Sequence, residues 1–415
     1  MTALIDDKDT YLSAFARFES ARAKDRPALV KLRHNAIERF AGLGFPTLED
    51  EDWRFTPLAS LTRVPFQMAP SGDGPELMYP DGVIVCDLVQ AIAEHPELVE
   101  PHLARYADFE EHAFTALNTA FLQDGTFVYI PPDRVFQEPI GLNFFASAID
   151  SPLVWHRRVL IVAGRNSQAT FCETYNGPAG VAYFTNAVTE IVLDEGAILD
   201  HYKVQREGNG AFHVATIQVR MGRSSNFSSH NIAFGGKLAR NDVNAYLDGE
   251  GSECTLNGLY VGGGEQLIDN HTRIDHASPH CASHELYKGI LDGKSRGVFS
   301  GTIYVHQDAQ KTDAKQTNQT LLLSDDAVID TKPQLEIFAD DVKCTHGATV
   351  GQLDAEAVFY LRTRGIGAEE ARALLTFAFA NDVVGRIKID RLRSELEQLL
   401  FASRKVPDGT AQEAP

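Results

Sequence analysis

The chain carries 415 residues, with 38 Lys+Arg against 57 Asp+Glu, a formal net charge of −19. Its 44% hydrophobic and 23% charged composition is that of a globular protein and excludes a fibrous or disordered chain. The acidity argues against a binder of the phosphate backbone, which requires an excess of Lys and Arg on one face, so no nucleic acid is expected as a partner.

The opening residues, Met1 to Phe15, contain neither a basic n-region nor an apolar h-region, so no secretory signal is expected. The longest apolar runs, such as Leu374 to Ala380, fall far short of the roughly 20 residues of a membrane helix. Cys86, Cys172, Cys254, Cys281 and Cys344 are odd in number, widely spaced and without a CxxC pair, which is not a disulfide framework. These features point to a soluble protein of a reducing cytoplasm with no membrane association.

Residues 1–125 read as a mostly helical N-terminal domain. Leu12, Phe15 and Phe18 fall at helical spacing, and Leu29, Leu32, Ala36, Ile37, Phe40 and Leu43 form a second stripe that stops between Gly42 and Pro46. Val83, Ile84 and Val85 make a short strand candidate, followed by helical pattern from Leu88 to Phe121. From 126 to 362 the chain turns to short runs of Val, Ile, Thr, Phe and Tyr separated by Gly, Asp, Asn and Ser, which is strand-and-turn punctuation. The turns at Asp194–Ala197, Gly222–Ser225, Gly249–Ser252, Asp292–Ser295 and Ser324–Asp326 resemble one another. They recur irregularly, and the long gap before Asp292 leaves room for another unit near Asp275. Such recurrence favours a β-solenoid, in which each coil buries its face only against the next. A sandwich or barrel is the alternative, but its hairpin signals are sparse: Asn176-Gly177, Asn209-Gly210 and Asn257-Gly258.

Beyond Gly365-Ile366-Gly367 the helical period returns, over a C-terminal helical domain at 363–405 followed by a flexible polar tail at 406–415. Leu374 with Ala378 and Leu375 with Phe379 are i,i+4 pairs. A second helix is expected from about Val383 to Ala402, with Arg386, Lys388, Arg391 and Arg393 along its polar side.

Several constellations carry chemistry. Gly289 to Ser295 resembles a phosphate-binding loop but is one residue short and runs into strand pattern, so it reads as a turn. His271 to His284 holds four His and one Cys. His276, His280 and Cys281 are its candidate metal ligands, against a reading as hydrogen-bonded strand and turn residues. In Lys343-Cys344-Thr345-His346, a thiol and an imidazole two residues apart on a strand point to one side. That pairing suits a soft metal or a sulfur acceptor, and the neighbouring imidazole or Lys343 would lower the thiol pKa. Two donors do not fill a tetrahedral site, so the others must come from elsewhere in the chain or from a partner. Asp325-Asp326 and Asp340-Asp341 would serve a solenoid carbohydrate-active enzyme, although solvated turns explain them better. Gln307, Gln310, Gln316, Asn318 and Gln319 form a polar run that reads as amide packing within coils.

Ordered motifs then give a resemblance. They are Glu51-Asp52-Trp53-Arg54-Phe55-Thr56-Pro57-Leu58, Tyr287-Lys288-Gly289-Ile290, Gly297-Val298-Phe299-Ser300-Gly301, Gln316-Thr317-Asn318-Gln319, Pro333-Gln334-Leu335-Glu336-Ile337, Asp340 to Thr349, and Phe359 to Ile366. The chain resembles the SufB/SufD iron–sulfur cluster assembly family, most densely from about 285 to 366. Its Lys-Cys-Thr-His-Gly-Ala-Thr pattern is SufD-like. Where the SufB paralogue carries a cysteine after the Leu-Leu-Leu stretch, this chain has Asp325, Asp326 and Ala327.

The resemblance implies a mainly β fold, a right-handed parallel β-helix flanked by helical regions. It also implies a non-catalytic scaffold that pairs with SufB and binds the ABC-type ATPase SufC, where the ATPase activity would reside. It places Cys344 and His346 at the SufB interface, around a nascent iron–sulfur cluster held transiently, with no stably bound cofactor in the isolated chain. SufC is expected on the C-terminal helices, at Leu374, Leu375, Phe377 and Phe379, and the same helices are expected to cap the solenoid end. A homodimer through the solenoid end is expected of the isolated chain.

Overall fold

The computed structural model describes residues 7–22, 25–70, 74–123, 125–146 and 152–402; the tail at 406–415 lies outside them. Two helices open the described chain, Asp7–Ser20 and Pro27–Leu43. The second has Pro at its start, buries Leu29, Arg33, Ala36, Ile37 and Phe40 at helical spacing, and ends where Gly44 takes φ +67 and returns its N–H to the Phe40 carbonyl. Leu88–Glu94 begins where the Asp87 carboxylate accepts from the Val89 and Gln90 N–H groups.

From Gly125 onward the strands alternate between two parallel sheets. One has ten strands and ends in Val328–Ile337; the other has nine and ends in Lys343–Gly351. Phe212–Met221, for example, is followed by Asn226–Phe234 in the opposite sheet, and each pairs with the strand one coil away. The fold is therefore a β-solenoid, with a coil length from 26 residues (Phe212 to Leu238) to 33 (Gly125 to Arg158). Only the first strands, Glu76–Met78 and Ile84–Asp87, pair antiparallel. Alternate residues such as Ala215, Ile217, Val219 and Met221 point inward and build the core between the sheets.

The irregular turn spacing has a geometric cause. The turns at Asp194, Gly222 and Gly249 lead from the ten-stranded sheet to the nine-stranded one, whereas those at Asp292 and Ser324 lead back. The long gap spans one and a half coils and contains the three strands Glu253–Gly262, Leu267–His276 and Ala282–Leu291. Adjacent coils also interlock by size. Gly258 is in register with Tyr287 and Tyr260 with Gly289. At both glycines a Cβ would collide with the facing tyrosine ring.

The expected cap is not formed. Three helices follow the last strand, Ala355–Thr363, Ala368–Val384 and Asp390–Ala402. The last two lie along the outer face of the nine-stranded sheet: Val383, Val384, Ile387, Leu392, Leu396 and Leu400 pack on Tyr202, Val204, Ile232, Leu259 and Ile290. Lys388 Nζ reaches Asp200 at 2.8 Å, and Lys288 pairs with Asp382. The expected helix from Val383 is broken at Gly385, and Arg386 and Lys388 sit in the break and bind the solenoid. Ala355–Thr363 lies inside the stretch 126–362 that was read as strand. The final coil stays open, with Val328, Ile337, Phe338 and Val350 exposed by 39–56%.

The interior is unusually polar. Glu173 meets His201 Nε2 at 3.2 Å, and His201 Nδ1 lies 3.0 Å from Ser229. Lys203 donates to His213 Nε2 at 2.8 Å and to Asn241, and His213 Nδ1 lies 2.8 Å from a Glu207 carboxylate oxygen. Burial lowers the Lys203 ammonium to about 8, although Glu173 and Glu207 favour its charge.

Three further histidines are held neutral by burial: His156 is lowered to about 3, and His230 and His276 to about 4. Their folded pKa values lie below the unfolded 6.5, so stability is lost as pH falls through that window. Glu285, raised by burial to about 7, acts in the opposite sense and favours the folded state as pH falls from 7. These four groups alone, three protons against one, contribute a net loss on the order of 2–3 kcal/mol per pH unit between about pH 6 and 5, and burial lowers His102 and His213 in the same sense. Urea titrations at several pH values should show it, with a shallower slope in His276→Gln. A flat profile over this range would contradict the assignment of buried neutral imidazoles.

Candidate functional site

The strand Lys343–Gly351 pairs only with Asp313–Leu322, so its other edge has no strand partner among the described residues. Cys344 is in register with Ala314 and His346 with Gln316, both of which are buried residues of the preceding coil. Alternation therefore aims Cys344 and His346 toward the solenoid axis, at the level where the solenoid ends. Cys344 is half-buried and His346 exposed. The edge thus presents a thiol and an imidazole together, beside unpaired backbone groups and an apolar rim.

The thiol pKa is raised, not lowered. Burial is the main cause and Asp313 adds to it, with only partial relief from the Ala314 backbone N–H. Lys343 alternates to the opposite face and gives no help. The resting group is a protonated thiol, and a metal that bound there would displace its proton.

The histidine-rich segment does not converge. His276 points inward and its Nε2 lies 2.9 Å from Ser283 Oγ. His280 occupies a turn at φ +60 and is exposed. Cys281 is buried, with Ser252 Oγ at 3.3 Å from its sulfur. Among the described residues no three His, Cys, Asp or Glu side chains come together as a metal site. The Gly289–Ser295 segment is the end of a strand and a turn, with Gly293 at φ +64. Asp325, Asp326, Asp340 and Asp341 are exposed turn residues, and Asp341 is paired with Lys311. Nothing in that arrangement supports a carbohydrate-active site.

On the helix Ala368–Val384 the four expected contact residues divide. Leu374 is 37% exposed, whereas Phe377 stacks on Phe401 at 4.3 Å and Phe379 lies under the Lys288 ammonium. Leu375 is half-buried. The N-terminal acidic–Trp motif has a structural role. Trp53 is buried under Arg240 at 3.9 Å, and Thr56 donates to the buried Asp269 at 2.6 Å. The motif pins the N-terminal region to the outer face of the ten-stranded sheet. Sequence reasoning missed the open rim at Val328, Ile337, Phe338 and Val350. Its only signal was apolar character in the last coil, which a capped coil would also show.

Comparison with known proteins identifies the family. Residues 144–379 match the family model "SUF system FeS cluster assembly, SufBD core domain", and residues 70–142 match "SufBD protein N-terminal region". The chain belongs to the SufBD family of iron–sulfur cluster assembly proteins. It is 29% identical to the iron–sulfur cluster assembly protein SufD of Escherichia coli, over 90% of this chain and 92% of the relative. It is 30% identical to the SufD of Bacillus subtilis, over 78% and 74%. An iron–sulfur cluster assembly SufBD family protein of Synechocystis is 33% identical over 94% of each chain.

Proposed function

We propose that this chain is a SufD-like scaffold subunit that pairs with a SufB-type paralogue through the open end of its solenoid. Sulfide and iron, as cargo, would assemble between the two chains, with Cys344 or His346 completing the coordination. The observation that carries this reading is the placement of those two donors, inward-facing on an unpaired edge strand with an apolar rim around it. A third ligand is missing within the described residues, which fits a centre shared with a second chain. A paralogue would add its own strands to this edge and bury Val328, Phe338 and Val350.

An ABC-type ATPase, SufC, would supply the ATP hydrolysis and dock on the C-terminal helices. Lys388 and Lys288 tie those helices to Asp200 and to the sheet, so a pull on them would reach the solenoid. The isolated chain would dimerise through the same open end. The protein acts in the cytoplasm on this reading, as a scaffold and not an enzyme.

The test is co-expression with SufB-type and SufC-type partners and anaerobic purification. A stable iron-bearing complex is expected; its absence with every tested pair would end the reading. Truncation at Gly365 is a poor probe of ATPase docking, because it would also strip the cover from Tyr202, Ile232 and Leu259. Leu374→Glu is cleaner, since Leu374 is exposed. It should reduce SufC co-purification at least tenfold while leaving the melting temperature within a few degrees. Undiminished capture would remove the docking site.

A further inference from the structure

We propose that Gln316 is a positioning residue for His346: its side-chain oxygen, unpaired in the structure, is the acceptor toward which the exposed imidazole turns one ring N–H, which fixes the ring tautomer and leaves the second ring nitrogen as the free donor. This rests on the reading of His346 given above.

Glu285, Gln316 and His346 hold the same register position on three successive strands of the nine-stranded sheet. Strands in a sheet lie about 4.8 Å apart, so the Gln316 side chain stands directly between its two neighbours. Gln316 is 1% exposed, and its Nε2 donates to Glu285 Oε2 at 2.9 Å, toward the preceding coil. Across the interior, Gly301 gives the amide its room: a Cβ there would overlap Gln316 Nε2. The nitrogen end of the amide is therefore held from two sides.

The oxygen leaves the amide carbon on the side away from the nitrogen, and thus toward the last coil, where His346 is the in-register residue. Gln316 Oε1 is buried and has no hydrogen-bond partner among the described residues. A buried amide oxygen left without a donor is costly, and the register sets the His346 imidazole beside it on the adjacent strand. An ionised Glu285 can only accept, which fixes the amide with its NH2 toward Glu285 and its oxygen toward His346. Second-neighbour hydrogen bonds of this kind orient ligating imidazoles and raise their basicity.

The experiment uses the full chain with 15N-labelled histidine at pH 8, above the value of about 7 to which burial raises Glu285. Long-range 15N–1H correlation reads each imidazole tautomer, and His346→Ala assigns the signal. The wild type should show His346 in one tautomer. Gln316→Met, similar in length but without the acceptor, should convert it to an average of two. The His276 pattern, which does not depend on Gln316, reports that each variant is folded. If Gln316→Met does not fold, Gly301→Ala displaces the amide and carries the same expectation. A wild-type His346 already averaged, or a folded Gln316→Met with the wild-type tautomer, would overturn the proposal. Cluster yield from His346→Ala, measured in the co-expressed complex, tests the underlying reading separately. Full yield there would defeat the reading and leave the tautomer result standing.

Discussion

A chain with both Cys344→Ala and His346→Ala should still co-purify with its partners but should accumulate no cluster above background. The reason lies in how the edge divides its work. Pairing with a second chain would draw on the backbone groups of Lys343–Gly351 and on the apolar rim of Val328, Phe338 and Val350, none of which the two substitutions remove. On the proposed reading the two donors would contribute coordination, and metal–thiolate and metal–imidazole bonds have no substitute in a methyl group. Each single variant should give a partial loss, because one donor remains. The thiol pKa adds a pH dependence in the same experiment. Burial and Asp313 hold it above the usual thiol value, so loading should rise as pH increases from neutrality, when the proton to be displaced is less tightly held. Iron and sulfide analysis of the anaerobic complex reads both effects, and full cluster content in the double variant would remove these residues from the site.

The largest expected loss of stability comes from Arg158→Met. Arg158 and Glu190 form an ion pair with side-chain exposures of 1% and 0%. The same carboxylate accepts the backbone N–H groups of Ala104 at 2.9 Å, Tyr106 at 2.9 Å and Ala107 at 3.1 Å, so it also fastens the 101–112 segment to the solenoid. Removing the guanidinium leaves a buried carboxylate without its counter-charge, which typically costs about 3–5 kcal/mol. The pair as a whole contributes far less, because its own desolvation offsets most of its attraction. The double variant Arg158→Met, Glu190→Gln, which removes the charge but keeps an acceptor for the three N–H groups, should therefore be more stable than Arg158→Met alone. Denaturant unfolding of the four chains in this cycle provides the measurement. A single variant within about 1 kcal/mol of the wild type would show that Glu190 is not left stranded.

Much of this was legible in the sequence because strand alternation and turn residues are local signals. The inward set Ala215, Ile217, Val219 and Met221 could be read from period two alone. The Cys344–His346 pair could be placed on one face of a strand for the same reason. Other features depend on which coil lies beside which. The turn series mixed two corners, because Asp292-Gly293 looks like Gly249-Glu250 although the chain crosses in opposite directions there. Lys343 is adjacent to Cys344 in sequence but on the other face, whereas Asp313, distant in sequence, adds to the burial that raises the thiol pKa. The helices after Gly367 were recognisable as amphipathic, yet nothing local told whether their apolar side covered the end of the solenoid or its flank. The outcome depends on Tyr202, Ile232 and Leu259, which are outward strand residues from three different coils.

The Tyr–Gly exchange between neighbouring coils bears on how the stack avoids misassembly. A one-residue slip between two strands reverses every side chain and exposes the core, so burial alone forbids it. A two-residue slip preserves inside and outside, and hydrophobicity cannot detect it. With Gly258 opposite Tyr287 and Tyr260 opposite Gly289, such a slip would bring ring against ring in one direction and leave a void opposite glycine in the other. The two tyrosines thus act as a vernier that fixes how one coil is seated on the next.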